Sequence, residues 1–139
     1  MTTGAVVAIA LGGALGTVAR YELELAWPAA PGTFPSTTLA INLAGSLLLG
    51  VLLSVVAGQT VPAHRVRAFA AVGLCGGFTT FSTWMMESVL LARDGEAALG
   101  FAYMAASLAA GFVAVALGVA LARAVSHRRM PRFDPREED

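Results

Sequence analysis

Charge is scarce in this sequence. Only 13% of its 139 residues are charged against 57% hydrophobic, and the mean hydropathy is +0.72. A soluble domain of this length needs a polar outer surface, and there are too few charged residues to coat one. Lipid is the solvent that fits this composition. Lysine is missing altogether, all nine basic residues being arginine. Cysteine occurs once, at Cys75, which excludes an internal disulfide framework and a thiolate metal cluster; its plainer reading is a small packing residue. There is no nucleotide loop, triad or zinc-ligand spacing, and no nucleophile stands with a base, so nothing supports an enzyme. A cleaved leader is not expected either, because Met1-Thr2-Thr3 offers no positive start and the apolar run leads straight into Arg20-Tyr21-Glu22.

What the sequence does have is long uncharged runs, at residues 1–19, 25–63, 68–86 and 97–122. Each holds most or all of the ~20 apolar residues that cross a bilayer. Breakers divide them. Three prolines in Trp27-Pro28-Ala29-Ala30-Pro31-Gly32-Thr33-Phe34-Pro35 lack amide donors and fix their own backbone angle, so this stretch is a loop. Gly58-Gln59-Thr60-Val61-Pro62 stops the second run, and Arg93-Asp94-Gly95-Glu96 is a charged turn before the fourth. The expected fold is an all-α membrane protein whose four transmembrane helices, at 4–26, 37–57, 66–92 and 97–123, form a domain over 1–125. Residues 126–139 form a polar, disordered tail.

Gly12-Gly13-Ala14-Leu15-Gly16 has a faint dinucleotide-binding look, but no strand precedes it and the glycines sit within an apolar helix. Close helix packing explains them better, as it does Gly45, Ser46 and Gly50.

The third run carries the chemistry. Halfway between Arg67 and Arg93 stands Gly76-Gly77-Phe78-Thr79-Thr80-Phe81-Ser82-Thr83-Trp84. Two glycines and a cluster of hydroxyls at the bilayer centre invite a broken helix. There an unsatisfied backbone group costs several kcal/mol, so a break needs protein, an ion or water to meet the freed amides and carbonyls. Broken helices at that depth mark ion and substrate sites. Any one of these residues could equally be a helix residue bonding back to its own turn. As a centred cluster flanked by aromatics they point to a functional break.

Gly12-Gly13 through Ala19-Arg20-Tyr21, Asn42-Leu43-Ala44-Gly45-Ser46, and Gly73-Leu74-Cys75-Gly76-Gly77-Phe78-Thr79-Thr80-Phe81-Ser82-Thr83 together resemble the Fluc (CrcB) family of dimeric bacterial fluoride channels, over residues 4 to about 122. The resemblance implies passive fluoride export and a dimer of two inverted subunits, with two fluoride pathways along their interface. It also implies a structural sodium ion at the dimer centre, held by the backbone carbonyls of Gly76 and Thr79. By resemblance, Asn42 donates its amide to fluoride and the ring edge of Phe81 presents its positive rim to the anion. Thr83, Trp84, Tyr103 and Ser107 complete the expected pathway. Tyr103 and Ser107 share a helix face, which Gly111 continues. Two positions depart from the family pattern: Trp84 stands where a second phenylalanine is usual, and Gly111 where another hydroxyl is usual. Asn42 as a plain interhelical bond, and Tyr103 with Ser107 as interfacial and packing residues, remain open alternatives.

Arg20 and Glu87 are ionisable residues within helices, where charge is usually paired or functional. Arg20 precedes Glu24 by four and can snorkel, so a structural or vestibule role is expected. Glu87 reads as scaffolding more than proton chemistry.

Four crossings put Arg65, Arg67, Arg123, Arg128, Arg129, Arg132 and Arg136 on one side, with Arg93 and at most Arg20 on the other. That bias predicts a plasma-membrane protein with both termini in the cytoplasm. A chain fixed in one orientation suits a heterodimer with an oppositely inserted paralogue; a homodimer is the alternative. Two rival readings remain. A small multidrug-type proton-coupled transporter wants a central carboxylate in the first helix, whereas Glu22 and Glu24 lie near its end. A scaffold subunit would conduct nothing by itself.

Overall fold

The structure, a computed structural model, describes residues 2–56 and 63–127. All regular elements among them are helical. Helix α1 (Thr3–Ala26) ends where the residue before Pro28 must leave the helical region: Trp27 has φ −138° and ψ 68°, and its N–H makes the last bond, to the Leu23 carbonyl. The proline loop turns at Gly32, whose φ of +71° suits a residue without a Cβ. Helix α2 (Ser36–Val56) starts directly after Pro35, whose carbonyl accepts from Leu39 N–H at 3.2 Å. The Thr37 hydroxyl donates to the Trp27 carbonyl, which ties the start of α2 to the end of α1.

The third helical path is irregular. A short turn, α3 (Ala63–Val66), runs into π-helix over Arg67–Leu74 and then into α4 (Cys75–Phe78). The wide turn is visible where Cys75 N–H bonds the Ala70 carbonyl, five residues back. Thr79 and Thr80 are extended, with φ, ψ of −81°, 158° and −140°, 121°, and α5 (Phe81–Arg93) follows. After a turn with Gly95 at φ +89°, α6 (Ala97–His127) completes the fold.

Helices α1, α2 and α6 are each long and apolar enough to cross a membrane. The chain is a multi-pass membrane protein. Outward-facing side chains such as Leu11, Leu15, Phe101 and Phe112 suit a lipid solvent. The predicted boundaries 4–26 and 37–57 lie within a residue of α1 and α2. Helix α6 runs past its predicted end at 123, taking in the start of what reads as a polar tail from 126. The rest of that tail (128–139), with Arg128, Arg129, Arg132 and Arg136, lies outside the described residues, as does the stop signal at 58–62.

Helix α2 packs mainly along α6, and α1 along the π-helical segment and α4, while α5 leans on α6. Glycines set these distances. A Cβ on Gly50 would strike the Val115 carbonyl and one on Gly118 the Leu47 carbonyl, so α2 and α6 meet backbone to backbone. Gly12 and Gly16 do the same for α1 against the carbonyls of Phe69 and Leu74.

Candidate functional site

The interruption falls on Thr79 and Thr80, while the two glycines before it stay helical in α4. Gly77 is needed there for close approach, since its Cβ would strike the Gly13 carbonyl. The β-branched threonines take the extended conformation their side chains favour. Thr80 also starts the next helix: its hydroxyl accepts from Thr83 N–H at 3.1 Å and donates to the Thr83 hydroxyl at 2.9 Å.

In an extended residue the N–H and C=O point the same way, and Asn42 on α2 meets both. Its Nδ2 donates to the Thr80 carbonyl at 3.0 Å and its Oδ1 accepts from Thr80 N–H at 2.9 Å. This has a consequence for the neighbouring carbonyls. In an unbroken helix Thr80 N–H would serve the Gly76 carbonyl and Thr83 N–H the Thr79 carbonyl; both donors are engaged elsewhere. The Gly76 and Thr79 carbonyls, the pair expected to face a cation, are thus among those that lose their ordinary helical donors.

The Gly77 carbonyl, also freed by the interruption, is met from α1. Arg20 Nε donates to it at 3.3 Å and the Thr17 hydroxyl at 3.5 Å, while Arg20 Nη1 pairs with Glu24 at 3.1 Å. A cation at the carboxyl end of α4 also complements the partial negative charge there.

Beside the interruption lies a cavity of about 350 Å³. Asn42, Phe81, Trp84 and Ser107 line it, with Gly76, Thr79 and Gly111. Phe81 and Trp84 rings lie 5.3 Å apart at 56°, and they differ sharply in setting: Phe81 is 72% exposed and Trp84 only 6%. Among the described residues, Trp84 Nε1 and Ser107 Oγ are buried with no hydrogen-bond partner. A Cβ on Gly76 would meet nothing within 4 Å, so this wall is open on the outer side of the subunit.

Two of the expected pathway residues stand apart from this cavity. Thr83 is occupied with Thr80. Tyr103, fully buried, donates to Glu87 Oε2 at 2.8 Å and meets the edge of Phe34 at 5.4 Å. Glu87 Oε1 accepts from the Thr38 hydroxyl at 2.8 Å, so both carboxylate oxygens are held by neutral donors. Sequence reasoning missed Thr38, although it lies four residues before Asn42 and hence on the same helix face. It also missed Thr17, three residues before Arg20 and so on the face of α1 that meets the Gly77 carbonyl.

Residues 7–119 match the family model described as CrcB-like protein, Camphor Resistance (CrcB). Among similar proteins is the "Fluoride-specific ion channel FluC" of Chlorobium luteolum, 46% identical over 119 residues, which are 85% of this chain and 92% of the relative. "Fluoride-specific ion channel FluC 1" of Streptomyces coelicolor is 45% identical over 121 residues, 86% of this chain and 78% of the relative. "Fluoride-specific ion channel FluC 3" of Streptomyces avermitilis is 46% identical over 127 residues, 91% of this chain; the match spans less than two thirds of that relative, 62%.

Proposed function

We infer the function from one premise: this chain belongs to the CrcB-like family. It is a subunit of a fluoride-specific ion channel, from a family of ion channels and not of enzymes. The reading is passive export: hydrogen fluoride enters an acid-exposed cell, dissociates, and the trapped anion leaves down its gradient through the plasma membrane.

One observation in particular supports this reading, the interruption at Thr79 and Thr80 with a donor-lined cavity beside it. Fluoride is small and strongly hydrated, so a selective path must replace its water with donors without holding it too tightly. Asn42 still has one amide hydrogen to offer after binding Thr80. The Phe81 ring edge carries the positive rim of its quadrupole. Ser107 and Trp84 add a hydroxyl and an indole N–H to the lining, while Thr83 and Tyr103, expected on the path, stand apart from this cavity.

In this reading the path from 63 to 93 is also a crossing, the third of four in chain order, broken near the bilayer midplane. The cavity is completed by an inverted second subunit, because its wall is open at Gly76 and Phe81. The carbonyls of Gly76 and Thr79 fit a sodium ion at the centre of the pair, since both lack their usual helical donors. That ion would supply positive charge where two broken helices meet. The arginine bias favours both termini in the cytoplasm and an oppositely inserted paralogue as partner, with the homodimer as the alternative.

The test is fluoride efflux, followed with a fluoride electrode, from liposomes holding this chain with and without a candidate paralogue. Selective fluoride release from either preparation supports the channel. Release from neither, with the chain correctly inserted, overturns it. Full transport by the chain alone, with reporters showing both orientations, would replace the heterodimer by the homodimer.

A further inference from the structure

We propose that the arginine-bearing end of the subunit, where α1 begins, docks on acidic phospholipid, with one headgroup phosphate seated between the Arg65 guanidinium and the first turn of α1. The proposal depends only on the chain spanning a membrane and stands apart from the ion path.

Helix directions decide which charges share an end. Gly4 packs by Arg65, Gly12 by Phe69 and Gly16 by Leu74, so α1 and the third helical path run the same way. Gly111 faces Ser46 and Gly50 meets Val115, so α6 runs with α2, and the tie from Thr37 to Trp27 turns α2 back from the end of α1. The start of α1, the short helix α3 and the last turns of α6 therefore lie at one end. Arg65, Arg67 and Arg123 stand there, all exposed, and none meets a carboxylate among the described residues. The described acidic residues, Glu22, Glu24, Glu87, Asp94 and Glu96, all belong to the other half of the subunit. Nothing described at this end offsets the arginines.

Arg65 has the most demanding position of the three. A Cβ on Gly4 would come within 3.7 Å of its Nε and 3.8 Å of its Nη2, so the guanidinium lies against the first turn of α1, the positive pole of that helix. The turn has no acidic residue and its Thr2 cap makes no side-chain bond. Ala5 and Val6 N–H groups bond the Thr2 carbonyl, but those of Thr3 and Gly4 have no acceptor among the described residues. Two positive groups are thus brought together with nothing of opposite sign between them. An anion resolves the conflict by accepting from the guanidinium and the amides at once.

A phospholipid suits this place better than a free phosphate. Val6 and Val7 on the next turn of α1, and Val66 beside Arg65, are about half exposed, which gives an acyl chain an apolar surface directly next to the charge. An acidic lipid suits it better than a zwitterionic one, because its headgroup brings no ammonium for Arg67 and Arg123 to repel.

The full-length chain, with its partner if assembly requires one, is purified in detergent and given equal amounts of phosphatidylglycerol and phosphatidylcholine. Bound lipid is counted by native mass spectrometry. Phosphatidylglycerol should be retained about fivefold or more over phosphatidylcholine, and Arg65→Gln should remove about fivefold of that preference, the worth of one arginine at an anionic headgroup. Arg93→Gln, at the opposite end, should leave the preference unchanged. Without added lipid, Arg65→Gln should melt no lower than the unaltered chain, since Arg65 has no partner to lose within the subunit. Equal retention of the two lipids, or a preference that survives Arg65→Gln, overturns the proposal. Displacement of the lipid by excess inorganic phosphate, or a lower lipid-free melting temperature for Arg65→Gln, overturns it as well, the first by assigning the seat to a free anion and the second by giving the side chain a purely structural role.

Discussion

Asn42 holds both polar groups of a single residue, Thr80: Nδ2 donates to its carbonyl at 3.0 Å and Oδ1 accepts from its N–H at 2.9 Å. An amide is the one neutral side-chain group with a donor and an acceptor side by side, so the match fixes residue type and orientation at once. The clamp keeps Thr80 extended and thereby separates α4 from α5.

Asn42→Asp is the sharpest test of that clamp. It retains an acceptor for Thr80 N–H but sets a carboxylate oxygen against the Thr80 carbonyl. Fluoride efflux should be lost, and thermal unfolding in detergent should show a destabilisation of about 1–3 kcal/mol. Asp supporting normal flux at unchanged thermal stability would mean that the amide is not needed to hold the interruption open.

Arg20→Met removes the guanidinium from the Gly77 carbonyl and leaves Glu24 unpaired. The Gly77 carbonyl then keeps only the long Thr17 contact at 3.5 Å. A loss of about 1–3 kcal/mol in stability is expected. Arg20→Lys should recover only part, because a single ammonium cannot reach the carbonyl and the carboxylate with the fixed fork of arginine. Equal melting temperatures for Arg20→Lys and the unaltered chain would refute this.

Tyr103→Phe and Glu87→Gln probe the second polar cluster. Phe keeps the edge contact with Phe34 but drops the bond to Glu87; Gln replaces one acceptor oxygen with a donor facing a donor. Each should destabilise by about 1 kcal/mol or more, with a coupling of roughly 0.5–3 kcal/mol in the double mutant. Strict additivity would show that the two side chains do not act as a unit.

Gly118→Ala and Gly76→Leu should part company. The first drives a methyl group at the Leu47 carbonyl and should cost about 1–3 kcal/mol by forcing α2 from α6. The second meets nothing inside the subunit, so its fold should survive while assembly fails. Size-exclusion chromatography and cross-linking read the difference. A Gly76→Leu chain that pairs normally would show that this wall does not face another subunit.

The helices were legible because proline and charge delimit them. Pro28, Pro35 and the Arg93 to Glu96 turn mark ends that the structure keeps within a residue or so, and the uncharged runs mark what lies between. The segment holding the interruption, Gly76 to Trp84, was legible; within it the two glycines stay helical, Gly77 being needed for close approach to α1, and the extended residues are Thr79 and Thr80. The π-helix over Arg67–Leu74 left no local trace, since wide turns depend on packing against α1. The same holds for the site. Asn42, Phe81, Trp84 and Ser107 share a cavity as a common motif would suggest, but the Asn42 clamp spans 38 residues and the Thr17 contact 60, distances at which no spacing rule operates.

Because Phe81 is so largely uncovered, a solitary subunit offers a trough with one side missing, not a tunnel. On the proposed pairing with an inverted second subunit, such a chain by itself would be electrically silent. In that case the cell could make the two halves at different times without short-circuiting the voltage across its membrane, conduction beginning only at the moment of pairing.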